Sequence, residues 1–122
     1  MVTVTPEVRA QLVEHAREEA PNEACGLIVF RDGEAVRYER GRNTLASPKV
    51  YALEVDPEVW FLEDEGYQLA VFHSHPVTRA YPSPTDVANI GLWEGRPYFI
   101  LGLADDDLAA FTIKDGEIEP LT

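Results

Sequence analysis

Cysteine is almost absent from this chain: of its 122 residues only Cys25 carries a thiol. That excludes an internal disulfide and any four-cysteine zinc site, and it fits a reducing compartment. Long apolar runs are missing too. No stretch approaches the roughly 20 residues of a membrane span. The opening MVTVTPEVRAQLVEHA lacks the basic start and apolar run of a secretory leader, so a cytoplasmic protein is expected. Positive charge is scarce, with ten Lys and Arg against 22 Asp and Glu and a net charge of −12. Nucleic acids and anionic membranes are bound mainly through Lys and Arg, so neither is expected as a partner. A basic protein partner stays open, and nothing in the composition sets the oligomeric state.

What is present is the pattern of an ordinary globular chain, without repeats, low-complexity tracts or linkers. Residues 1–122 are expected to form one domain, long enough to bury a core. Thr5-Pro6-Glu7 reads as a helix start, and Val8, Leu12, Val13, Ala16 and Ala20 share a face, predicting a helix over about 6–20. ACGLIVF (24–30) is a strand ending at the hairpin signal Asp32-Gly33, and AVRYER (35–40) alternates as its return. VYALEV (50–55) reads as a third strand, followed by a helix that opens at Asp56-Pro57-Glu58 and stops at Gly66. QLAVFHSH is the next strand, closed by Pro76, and Ser83-Pro84-Thr85-Asp86 starts a third helix running to about Gly91. PYFILGLA and LAAFTIKDGEIEPL, with a turn at Asp115-Gly116, supply the last strands. The fold class is α+β: one mainly antiparallel sheet with helices packed on it.

The chain has three histidines, and two of them, His73 and His75, stand one residue apart at the end of a strand. Side chains two apart on a strand share a face, so these imidazoles project together while Ser74 points the other way. The pair alone is a weak motif, open between metal ligands and accident. Asp86, in the first turn of the following helix, would complete two imidazoles and a carboxylate, the set of a catalytic zinc site with a fourth position for water. Ser-Pro-x-Asp is also an ordinary capping start, and on this stretch alone that reading comes first, although one residue can do both. A hydrolytic site needs a general base. Among fourteen glutamates, Glu23 lies between the first helix and the apolar strand, where it either faces a cleft or merely ends a helix.

NEACGLIVF followed by VFHSHPVTRAYPSPTD resembles the JAMM (MPN-plus) metalloprotease family, whose signature is a glutamate ahead of the first strand, then His-x-His-Pro, then Ser-x-x-Asp. The matching positions are Glu23, His73, His75, Pro76, Ser83 and Asp86, and the resemblance spans the chain as one JAMM/MPN-like domain. It implies a curved sheet flanked by helices, layered like the cytidine deaminases. It implies one zinc ion per chain held by His73, His75 and Asp86. Glu23 would be the proton acceptor and donor, and Ser83 the hydrogen-bond donor to the carbonyl oxygen. The reaction would be hydrolysis of a peptide or isopeptide bond after a C-terminal Gly-Gly. The chain lacks the insertions of polyubiquitin-specific members and looks like small prokaryotic ones. The expected partner is therefore a ubiquitin-like sulfur-carrier protein, freed from an amino acid or a modified protein. Tyr51, ahead of the second helix, is a candidate to line the tail's path, against an ordinary packing role. The rivals are a metal-free MPN-like scaffold and a metallopeptidase of short peptides.

Other residues are expected to be structural. His15 reads as a solvated surface residue, Cys25 as a small buried strand residue, and Trp60 and Phe61 as core.

Overall fold

Each element follows from local chemistry and is then selected by packing. The structure, a computed structural model, describes residues 2–121. Helix α1 spans Pro6–Glu19, with the Val8 N–H donating to Thr5 Oγ1 and proline in the first turn. Strands β1 (Cys25–Arg31) and β2 (Glu34–Arg40) form a hairpin whose turn residues Asp32 and Gly33 both take positive φ, 52° and 82°. That is the turn whose twist matches antiparallel strands. Two short strands, β3 (Arg42–Asn43) and β4 (Leu53–Glu54), pair as a separate ribbon. Then come β5 (Gln68–His75), helix α2 (Pro84–Ala88), β6 (Tyr98–Gly102), β7 (Asp107–Lys114) and β8 (Glu117–Pro120).

Six strands form one sheet in the order β2-β1-β5-β6-β7-β8, antiparallel throughout except for the parallel β5–β6 pair. The fold is thus α+β with a mainly antiparallel sheet flanked by helices. Alternation along β1 and β5 sends Ile28, Phe30 and Phe72 to one face, where Leu12 and Ala16 of α1 cover them. Leu27, Val29 and Val71 go to the other face, beneath Val59, Leu62 and Trp93. Both faces of the central strands are therefore buried, which explains why ACGLIVF is apolar without interruption.

Several expectations need correction. The strand predicted over 50–55 is hydrogen-bonded as a strand only at Leu53–Glu54. The Asn43 side chain takes over the rest: its amide donates to the Val50 carbonyl at 3.0 Å and its oxygen accepts from the Ala52 N–H at 3.1 Å. The helix predicted after Asp56 is a 3-10 helix, Pro57–Glu65, stopped by Gly66 at φ 94°. Three residues per turn put Val59 and Leu62 in line toward the core. Trp60 and Phe61 are then turned outward, 38% and 62% exposed, and are not core residues. The third helix ends at Ala88, and a short 3-10 turn, Gly91–Trp93, follows with Gly91 at φ 55°. His15 is not solvated. It is buried, and its Nδ1 lies 2.7 Å from the Tyr38 hydroxyl.

Candidate active site

Burying a polar side chain is costly unless it is partnered, so buried polar groups mark where a fold keeps them for a reason. Among the described residues these are His15, Glu23, His73, Ser74, His75 and Asp86. All but His15 gather at one end of β5.

The register explains the gathering. His73 lies opposite Cys25 on β1 and Ile100 on β6, and His75 lies beside Gly102, so both imidazoles leave the central strand on one face. Ser74 points to the other face, where its Oγ accepts the Ala24 N–H at 2.8 Å. That bond, with Ser74 N–H to the Ala24 carbonyl at 2.9 Å, pins the segment bearing Glu23 against β5. Glu23 is held further by its own N–H donating to the Ser47 carbonyl and its carbonyl accepting from Asn43 Nδ2. Beyond His75 the chain loops back close to β6. A Cβ on Gly102 would sit 2.9 Å from the Ala80 nitrogen, so only glycine allows this approach. The loop delivers Ser83 and Asp86 at the start of α2.

There a capping box forms. The Asp86 N–H donates to Ser83 Oγ at 3.1 Å, and the Ser83 N–H donates to Asp86 Oδ2 at 2.9 Å. The same Oδ2 lies 3.3 Å from His73 Nε2 and 3.2 Å from His75 Nε2, and the two Nε2 atoms are 3.0 Å apart. Capping and convergence on the histidines thus coexist in one carboxylate. Glu23 approaches as well: a carboxylate oxygen and the histidine nitrogens lie within 4.8 Å of one another.

The donor set fits a metal ion. Ligands at about 2.0–2.1 Å around a tetrahedral zinc stand roughly 3.3–3.4 Å apart, close to the spacing of these three atoms. The His75 tautomer suits the task, because Nδ1 donates to the Arg79 carbonyl at 2.9 Å and so leaves the Nε2 lone pair facing inward in the neutral ring. Burial lowers the His73 pKa despite the opposing pull of Asp86, favouring the neutral, ligating form. Burial also opposes charge on His75. Its hydrogen bonds to Asp86 and the Arg79 carbonyl, with the nearby carboxylate charges, win and raise its pKa above 6.5. Burial pushes Asp86 up, but its bonds to both histidines and to the Ser83 N–H hold it well below the usual carboxylate range. Glu23 has Oε1 buried without a hydrogen-bond partner. Burial, with the Asp86 charge adding to it and His75 opposing, pushes its carboxyl up to about 8. A buried carboxyl oxygen without a partner, beside two converging imidazoles and a second carboxylate, is what a nearby cation would satisfy, by favouring the ionised form of Glu23.

Cys25 lies on the same face as His73 but is not in ligand form. Burial first, then the charges of Glu23 and Glu19, pushes its thiol up to about 12. Tyr51 stacks on His73 and also lines a groove of about 240 Å³ that runs from Asp86 past Leu53, Trp60, Leu92 and Trp93. Sequence patterns gave no sign of Asn43, whose side chain ties Glu23 to the 47–52 segment, or of Tyr98, which touches both Tyr51 and His73. Ser74 was readable only as a residue facing away.

Residues 5–114 match the family of prokaryotic homologues of the JAB domain. The CysO-cysteine peptidase of Mycobacterium tuberculosis is 34% identical, over 91% of this chain and 84% of that protein. A probable TtuB-protein conjugate cleaving protease of Thermus thermophilus is 37% identical, over 84% of this chain and 70% of that protein. A solution structure of a protein from Desulfitobacterium hafniense superposes with a TM-score of 0.82 at 31% identity, covering 98% of this chain and 89% of that one. With the His-x-His strand, the Ser-x-x-Asp turn and Glu23 gathered in one buried site, and the family match spanning nearly the whole chain, the protein belongs to the prokaryotic JAB (JAMM) family and has the role of a hydrolytic peptidase.

Proposed function

We propose that this protein, as a single domain over residues 1–122, is a zinc peptidase of conjugates of ubiquitin-like sulfur-carrier proteins. It cleaves the peptide or isopeptide bond after the carrier's C-terminal Gly-Gly and releases an amino acid or a modified protein. The observation that carries the reading is the convergence of His73 Nε2, His75 Nε2 and Asp86 Oδ2 within 3.0–3.3 Å, with Glu23 beside them. The two relatives named for CysO-cysteine and TtuB-protein conjugates support the substrate class.

In this reading His73, His75 and Asp86 hold one zinc ion per chain. Zinc there supplies Lewis acidity, which makes water nucleophilic near neutral pH and polarises the carbonyl under attack. Glu23 accepts the proton from the attacking water and passes it to the leaving amine. Its burial beside Asp86 keeps competing solvent away from that transfer. Ser83 donates its hydroxyl proton to the carbonyl oxygen as negative charge builds there. Accepting the Asp86 N–H leaves that O–H free to give, and the cap fixes the rotamer. Tyr51 lines the approach. β4 pairs only with β3 among the described strands, which leaves it a second edge that an extended Gly-Gly tail pairs with in this reading.

The test is direct. The zinc-loaded protein is incubated with carrier–cysteine and carrier–protein conjugates from its host, and the products are weighed by mass spectrometry. Free carrier ending in Gly-Gly is expected. Turnover of short peptides with no action on carrier conjugates, or cleavage of polyubiquitin alone, contradicts the assignment.

A further inference from the structure

The two histidines are supported in different ways. His75 has the usual support of a ligating imidazole: its outer nitrogen donates to a backbone carbonyl, that of Arg79. His73 has no such support. Its ring is fully buried, and among the described residues its Nδ1 finds no hydrogen-bond partner. A single bond from Cβ would leave that ring free to turn, and turning would swing Nε2 away from Asp86.

Aromatic contacts surround it instead. The Tyr51 ring stacks on the His73 ring, with centroids 4.5 Å apart and planes 20° from parallel. Tyr98, one strand over on β6, meets the same ring edge-on at 5.3 Å and 61°. The Tyr51 and Tyr98 hydroxyls lie 3.0 Å apart, so the two phenols brace one another around the imidazole. Tyr51 is itself fixed from behind, since the Asn43 amide clamps the backbone on both sides of it at Val50 and Ala52.

We propose that Tyr51, through the face of its ring, is the positioning residue of His73, doing by stacking what the Arg79 carbonyl does for His75 by hydrogen bonding. An offset stack fixes a ring's plane because rotation forfeits the whole face contact. The same Tyr51 also lines the groove that leads to Asp86, so the side chain that would meet an incoming tail also sets the orientation of His73. This inference rests on the zinc reading above and concerns how the ligand is held.

The experiment compares zinc affinity, by competition with a chromophoric chelator, in the wild type, Tyr51→Met and Tyr51→Phe. Methionine fills similar volume without a planar face, whereas phenylalanine keeps the face and loses only the hydroxyl. Tyr51→Met is expected to weaken zinc about ten- to a hundredfold, the usual scale for losing the support of a ligating histidine. Tyr51→Phe should stay within about threefold of wild type, a limit set well inside that range. The visible spectrum of the cobalt-substituted protein should shift in Tyr51→Met and not in Tyr51→Phe. Thermal unfolding of the metal-free proteins checks that both variants fold. Wild-type affinity and spectrum in a folded Tyr51→Met overturn the proposal. So does a Tyr51→Phe as impaired as Tyr51→Met, which would place the effect in the hydroxyl. A wild type that takes up no zinc would instead count against the zinc reading itself.

Discussion

Ser74 and Ala24 exchange hydrogen bonds across the sheet: Ser74 Oγ accepts the Ala24 N–H at 2.8 Å, and the Ser74 N–H donates to the Ala24 carbonyl at 2.9 Å. The residue between the two histidines therefore fixes the residue after Glu23. Ser74→Ala leaves the buried Ala24 N–H without its side-chain partner. It should cost roughly 1–3 kcal/mol of stability, read as a lower urea midpoint. Turnover should fall with bound metal unchanged, because Ser74 itself faces away from the ligands. Unchanged stability and activity would remove Ser74 from the account.

Glu23→Gln keeps the size and burial of the side chain and removes its capacity as a base. Turnover should fall by about 10²–10⁴, the usual worth of a positioned general base, while bound zinc measured in the same preparation stays at the wild-type level. Loss of zinc in this variant would make Glu23 a ligand.

Ser83 caps α2, and the proposed function also makes it a donor to the carbonyl oxygen; two substitutions separate the cap from that donor role. Ser83→Ala loses cap and donor together, at about 1 kcal/mol of stability for the cap. Ser83→Gly loses only a few tenths of the cap's worth but equally lacks the hydroxyl. Both should lower kcat by about 10²–10³, with stability recovering only in the glycine variant. If activity follows stability across the pair, Ser83 is a cap alone.

How much of this was legible in the sequence varies with the range of the contact. The strand bearing His73 and His75 and the turn bearing Asp86 follow from local rules, the alternation of a strand and a Ser-Pro-x-Asp start. The resemblance set Glu23 beside them, and the structure brings these four side chains together. Tyr98 and the burial of His15 depend on partners far along the chain, and Asn43 reaches Glu23 20 positions back. Tyr51 meets Tyr98 across 47 positions and His15 meets Tyr38 across 23, and no local pattern encodes such pairs. Trp60 and Phe61 were misplaced for a different reason. Their apolarity suggested the core, but a 3-10 winding gave the inward line to Val59 and Leu62.

His15 supplies a pH dependence. Burial, then the charge of Arg40, lowers its pKa, against weaker upward pulls from Glu19 and Glu18. In the unfolded chain it titrates near its ordinary 6.5. The unfolded state then binds more protons in the window just below that value, so the His15 contribution is complete above it and is lost as pH falls toward the folded pKa. Urea unfolding from pH 7.5 to 5 should show a loss of stability that is smaller in His15→Gln. Parallel curves for the two proteins would contradict this.

Cys25 should be inert in the native protein. Its thiol is buried and pushed up to about 12, so iodoacetamide should label it only after unfolding. Rapid labelling of the folded protein, followed by mass spectrometry, would show that β1 opens readily beside the site.

The central claim is that His73, His75 and Asp86 hold one ion together. The most direct measurement is zinc content by mass spectrometry for protein purified without chelator and dialysed, wild type beside Asp86→Ala. The account predicts about one zinc per wild-type chain and far less in Asp86→Ala, with both proteins folded. Wild type without stoichiometric zinc, or Asp86→Ala retaining it fully, would contradict the claim.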